Sequence, residues 1–127
     1  MHISKAVIRL AVLLALLALA LAATGNGQPG NIKGYVIDSA CTFTKNLKKP
    51  LSPECAVACA KAGSPLVILS DDGTIYWPID AATPSSGQNA KLLPFAGQKV
   101  TATGKVFERG GSHAVVIDKI EPLPSSK

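Results

Sequence analysis

The chain has 127 residues, 47% of them apolar and 17% charged, with 13 Lys and Arg against 8 Asp and Glu. That length is a prior for one domain, the apolar content excludes a disordered chain, and 3 cysteines are too few for a disulfide-dense miniprotein. Apart from one N-terminal run, no apolar stretch approaches the roughly 20 residues of a membrane-spanning helix, so the body reads as a small soluble domain.

Residues 1–22 read as a secretory signal. His2, Lys5 and Arg9 form a positive head, Leu10 to Ala23 follow as an uncharged run of Leu, Ala and Val, and Ala20 and Ala22 flank Leu21 in a small-residue cleavage pattern. The run is short for a span, and no stop-transfer charges follow it. Cleavage after Ala22 would leave 105 residues with a formal charge of +3, because Lys5 and Arg9 lie in the removed segment. A chain of that size buries one modest core. Export, periplasmic or extracellular, places it in an oxidising compartment where disulfides persist. Together with the low charge, export argues against a nucleic-acid partner, and no membrane span would remain after cleavage.

Residues 23–31 read as a flexible leader, since Thr24 to Asn31 is rich in Gly, Pro and Asn. Ile32 to Ser39 reads as a strand centred on Tyr35, Val36 and Ile37. Thr42 to Leu51, with Lys45, Lys48, Lys49 and Pro50, reads as an exposed loop. Ser52-Pro53-Glu54 is a helix start: a capping hydroxyl, a proline suited to the first position and an acid at the positive end of the dipole. The helix runs from Pro53 to Ala62 and stops at Gly63, with Pro65 beyond. Leu66 to Ser70 and Thr74 to Ile79 read as strands around the turn dipeptide Asp72-Gly73. Asp80 to Asn89 is a polar loop, and Lys91 to Pro94 a brief turn or edge. Gln98 to Glu108 alternates, with Val100, Ala102, Gly104 and Val106 on one face and Thr101, Thr103 and Lys105 on the other. Gly110-Gly111 turns the chain into a last strand, His113 to Ile120, and residues 122–127 form a loose tail.

The order β-α-β-β-β-β predicts a mostly-β domain over residues 32–121. A curled sheet buries one face and removes its edges. The expected fold is therefore a small, partly open antiparallel barrel of the oligonucleotide/oligosaccharide-binding (OB) type, with the helix plugging one end. An SH3-like barrel is the alternative. Trp77, Tyr76, Tyr35 and Phe95 read as core or rim packing, with Trp77 kept as a candidate stacking surface.

Cys41, Cys55 and Cys59 carry the chemistry. Cys55 and Cys59 are four apart on the predicted helix and project from one face. Cys55 falls in the first turn, where the dipole favours a thiolate. Cys41 lies just past the first strand, with enough chain between to reach the same face. Three readings follow. A structural disulfide from Cys41 to Cys55 or Cys59 would pin helix and loop to the barrel, contributing about 3 kcal/mol in the chain-entropy model and leaving one thiol over. On that reading the protein is an exported, non-enzymatic binding or accessory module. Alternatively, the three thiolates hold a soft metal ion, Cu(I) or Zn(II), with His113 as a candidate fourth ligand. A thiol-redox role is the third reading, set back by the lack of a Cys-x-x-Cys motif.

Other candidates are weaker. Lys45, Lys48 and Lys49 are candidate contacts for an acidic partner or lipid head groups, although a short charge cluster reads first as a solvated loop. Asp71-Asp72-Gly73 lacks the downstream acidic ligands of a calcium loop. One mature histidine supports no Ser-His-Asp arrangement.

Gly34-Tyr35-Val36-Ile37-Asp38-Ser39-Ala40-Cys41, then Glu54-Cys55-Ala56-Val57-Ala58-Cys59 and Ala62-Gly63-Ser64-Pro65, form a pattern with Asp71-Asp72-Gly73, Tyr76 and the segment Phe95 to Gly104. In this the chain resembles a family of small exported bacterial domains of uncharacterised function, over residues 32–121. The resemblance implies a barrel-like fold and three thiols acting as one unit, and implies no activity, ligand or catalytic residue. This chain departs from the pattern by a longer stretch at Asp80 to Asn89.

Overall fold

The computed structural model describes residues 27–45 and 52–124, together with Lys5, Val7, Ile8 and Arg9. Most of the expected signal segment, residues 23–26 of the leader, Lys48 and Lys49, and the end of the tail lie outside the described residues. Among the described residues no helix is long and apolar enough to cross a membrane.

The elements in chain order are β1 (Gln28–Asp38), α1 (Ser39–Thr44), α2 (Pro53–Lys61), β2 (Leu66–Ser70), β3 (Ile75–Pro78), α3 (Asn89–Leu92), a 3-10 turn (Leu93–Phe95), β4 (Lys99–Arg109) and β5 (Ser112–Pro122). The strands form a closed five-stranded barrel in the order β1-β2-β3-β5-β4. The mostly-β, OB-like expectation holds.

β1 makes closure work, because it is long enough to serve two partners. Its first part, Gln28 to Tyr35, pairs with β4, and its second part, Gly34 to Asp38, pairs with β2. The overlap falls at Gly34 and Tyr35, and at Gly34 a Cβ would press into the Leu69 backbone, so a side chain has no room there. The remaining gap is closed by β3 and β5 through Tyr76–His113, Trp77–Ala114 and Pro78–Val115.

Four details of the expected architecture are corrected. The barrel is closed, where a partly open one was expected, and it is mixed, because β3 and β5 run parallel. A parallel neighbour needs a crossover of a dozen or more residues, and the long polar stretch from Ile79 onward, with α3, supplies part of it. The leader is shorter than expected, since Gln28 to Asn31 already pair with β4. The Thr42–Leu51 loop begins as helix, because α1 continues through Thr44.

Inward positions are Ile32, Val36, Leu66, Ile68, Val100, Ala102, Val115 and Ile117, with Tyr76, Phe95, Val106 and Ile120 packed around them. The alternation of β4 is as its sequence predicts: Val100, Ala102 and Gly104 are buried. Leu92 of α3, in the stretch that reads as a brief turn, is fully buried in this core. α2 lies against β1, with Ala56 and Ala60 as its buried residues and Ala60 reaching the core.

A bulge between Thr103 and Gly104 shifts the β4–β5 register, and at Gly104 a Cβ would overlap the Val116 carbonyl oxygen. Gly104→Ala is therefore expected to lower the unfolding free energy by about 1–3 kcal/mol, the usual cost of overpacking. Urea denaturation measures this, with Gly87→Ala, at a position open to solvent, expected to leave the midpoint unchanged.

Candidate metal centre

Both cysteine-bearing helices begin in the same way. Asp38 caps α1, its Oδ1 accepting from the Cys41 backbone N–H at 2.8 Å. Ser52 caps α2, its Oγ accepting from the Cys55 backbone N–H at 3.2 Å, with Pro53 in the first turn and Glu54 beside it. Cys41 and Cys55 thus occupy equivalent positions, the third residue after each cap, and Cys59 follows Cys55 by one turn. α2 ends as its sequence predicts: Gly63 takes a φ of +100°, and the Ser64 N–H returns to the Cys59 carbonyl at 3.0 Å.

One side chain joins the two helices. Asp38 is 2% exposed. Besides capping α1 it accepts from the Ser64 hydroxyl through Oδ2, and the Thr42 hydroxyl donates to its backbone carbonyl at 2.8 Å. The turn that carries Ser64 is held twice more. The Ser39 N–H donates to the Pro65 carbonyl at 2.9 Å, and Asn89 donates to the Ser64 carbonyl at 2.7 Å while accepting from the Leu66 N–H at 2.8 Å. The start of α1 and the end of α2 are thereby fixed to one another.

The result is a cluster. The sulfurs of Cys41, Cys55 and Cys59 all lie within 4.8 Å of one another. Three thiolates on a tetrahedral ion at about 2.3 Å stand about 3.8 Å apart, so side-chain adjustment of an ångström or less brings the set to metal-binding distance. All three cysteines are free, which corrects the expected disulfide. A bond needs two sulfurs at about 2.05 Å and excludes the third, whereas here the three face one common space. Cys41 and Cys59 are half-buried and Cys55 is exposed.

The surroundings of Cys41 and Cys59 favour their protonated thiols. Burial alone would raise the Asp38 carboxyl, but hydrogen bonds from the Ser64 hydroxyl and from Cys41 hold it below its ordinary value. Burial first, then the hydrogen bond to the Asp38 carboxylate and its charge, push the Cys41 thiol up to about 11. Cys59 is raised by burial, then by the charges of Asp38 and Cys55.

His113 does not join the thiols: among the described residues the three-ligand group consists of cysteines alone. Its Nε2 stands 3.5 Å from Glu108 Oε2, and its ring meets Tyr76 edge-on at 5.5 Å. Trp77, 37% exposed, borders a separate groove of about 420 Å³ with Phe43, Ile75 and His113. Lys45 is exposed at the end of α1, its N–H donating to the Cys41 carbonyl at 3.0 Å. Asp72 caps its own turn, where the Ser70 hydroxyl and the Thr74 N–H hold its carboxyl down at about 2. Sequence reasoning missed Asp38, Ser64 and Asn89. An Asp three residues before Cys41 is a capping signal, whereas nothing local marks Ser64 or Asn89. No family model, curated protein or solved structure matches the chain, so the site is read from its own geometry.

Two outcomes follow for Asp38 and Cys41. Asp38→Ala strands the Ser64 hydroxyl and the Cys41 N–H and is expected to cost about 1–3 kcal/mol of stability, measured by denaturant titration. The Cys41 pKa is raised in the folded chain from 9.0 to about 11. The corresponding stability is present below pH 9 and lost as pH rises through 11. Iodoacetamide labelling of Cys41, followed by peptide mass spectrometry, is therefore expected to rise near pH 11 in the folded protein and near pH 9 in urea.

Proposed function

We propose that this protein is an exported, non-enzymatic binding module whose ligand is a soft metal ion, Cu(I) or Zn(II), held by Cys41, Cys55 and Cys59. The observation that carries the reading is the convergence of three free sulfurs within 4.8 Å. Thiolates select Cu(I) and Zn(II) over hard cations. Three of them suit a trigonal Cu(I) ion or supply three corners of a Zn(II) tetrahedron.

The charge balance points the same way. Burial, and after it the Asp38 carboxylate and the neighbouring sulfurs, make Cys41 and Cys59 hold their protons. A cation at the centre reverses that preference and displaces the protons into solvent, so affinity depends on pH. The signal-like N-terminus supports export. In an oxidising compartment adjacent thiols stay reduced when an ion holds them, and a bound ion reconciles three free cysteines with that setting. The resemblance to small exported domains, in which the thiols form one unit, supports the same view.

The test is a titration of the reduced protein with Cu(I) or Zn(II) against a competing chelator. One ion per chain is expected, with affinity lost in the variant carrying Cys41→Ser, Cys55→Ser and Cys59→Ser, unchanged in His113→Ala, and falling as pH is lowered. Ion at a hundredfold excess over Kd is expected to add about 2.7 kcal/mol to stability. Equal affinity in the triple variant overturns the proposal.

A further inference from the structure

Resting on the three-thiolate reading with a tetrahedral ion such as Zn(II), we infer that the bound ion keeps one coordination position open on the Cys55 side, and that a thiol from outside the chain fills it. The two sides of the cluster differ. On the inner side stands Asp38, 2% exposed, with both carboxylate oxygens already committed: Oδ1 to the Cys41 N–H and Oδ2 to the Ser64 hydroxyl. Cys41, whose N–H donates to Asp38, and Cys59 are half-buried. On the outer side Cys55 is exposed, and Ser52, Pro53, Glu54 and Ala58 around it on α2 are exposed as well. The group contains three cysteines and no fourth donor among the described residues.

A closed structural site surrounds its ion with four protein ligands, whereas three protein ligands leave a position for water or an exchangeable group. Here that position opens to solvent past Cys55. The chemistry of the other three ligands decides what enters. An ion chosen by three thiolates is soft, and sulfur outcompetes oxygen for it. In the step the incoming S–H gives its proton to solvent, its sulfur bonds the ion, and the bound water leaves. No oxidation state changes. A site of this kind accepts an ion from one thiol and yields it to another, so the partner class is a thiol carrier, either a small molecule or a cysteine on a protein.

Cadmium tests the inference, because the ¹¹³Cd resonance moves downfield with each added sulfur ligand. The reduced full chain is loaded with one equivalent of ¹¹³Cd(II), and glutathione is then added in one arm and a helical peptide with a single cysteine in another. A downfield shift with the ion still on the protein is expected. A shift in both arms admits a thiol on a peptide, and a shift with glutathione alone restricts the carrier to small thiols. Cadmium that binds with a resonance unmoved by either thiol overturns the open position and leaves the metal reading standing. Return of the cysteine proton signals to their metal-free positions means the thiol only strips the ion, which also overturns it. Cadmium that does not bind at all removes the metal reading itself.

Discussion

The Asp38 carboxylate is the interaction on which the site depends. A buried carboxylate is expensive unless hydrogen-bonded, and this one is satisfied by groups from two separate pieces of chain: the first turn of α1 and the turn that follows α2. Asp38 is also the last residue of β1, paired with Leu66 at the start of β2. One side chain therefore joins the end of a barrel strand, the cap of one cysteine-bearing helix and the exit of the other. Desolvation makes this arrangement specific, because any conformation that separates the two helices leaves a buried charge unpaired.

The barrel and the site share the β1–β2 connection. Closure requires β1 to pair on both sides, with β4 through Tyr35 and with β2 through Asp38, its last residue. From there the chain enters α1 and then α2 before re-entering the sheet as β2. Gly97, with a φ of +76°, lets the backbone before β4 approach the start of α2: a Cβ there would stand 2.5 Å from Pro53 Cα. The N–H of Gly97 also donates to the Val36 carbonyl at 2.7 Å. The first turn of α2, which carries Cys55, thus rests on the same piece of backbone that finishes the barrel.

What was legible in the sequence follows from the range of each interaction. α2 was readable because its signals are local: Ser52, Pro53, Glu54 and Gly63 each act within one turn. β4 was readable because a two-residue period covers a strand buried on one face. α1 was missed because Thr42, Phe43 and Thr44 are poor helix formers, and it is capped by Asp38, whose other carboxylate oxygen reaches Ser64 across the fold. α3 begins at Gln88 without a side-chain cap and is held by burial of Leu92, a tertiary effect with no local pattern. The parallel β3–β5 pair joins segments far apart in sequence, so neither strand announces it. The thiols divide in the same manner. The four-residue spacing placed Cys55 and Cys59 together, whereas the position of Cys41 depends on Ser64 and Asp38, 26 residues apart. The disulfide expected from the compartment was chemistry without geometry, and the geometry brings in the third sulfur.

The cysteines stand outside the barrel core, and that separation bears on how such a site arises. The core cluster runs through Ile32, Val36, Ile68, Leu92, Val100 and Val115 and includes none of the three. A half-buried or exposed thiol contributes little hydrophobic stabilisation compared with these fully buried side chains. The fold therefore needs Asp38, Ser64 and the alanines of α2, but not the sulfurs. The fold presents the thiols already gathered, so a metal ion bound there would not have to order a loop first. On the proposed metal reading the energy of the ion's bonds would appear as affinity instead of being consumed in folding, as it is in small domains that collapse only around their metal.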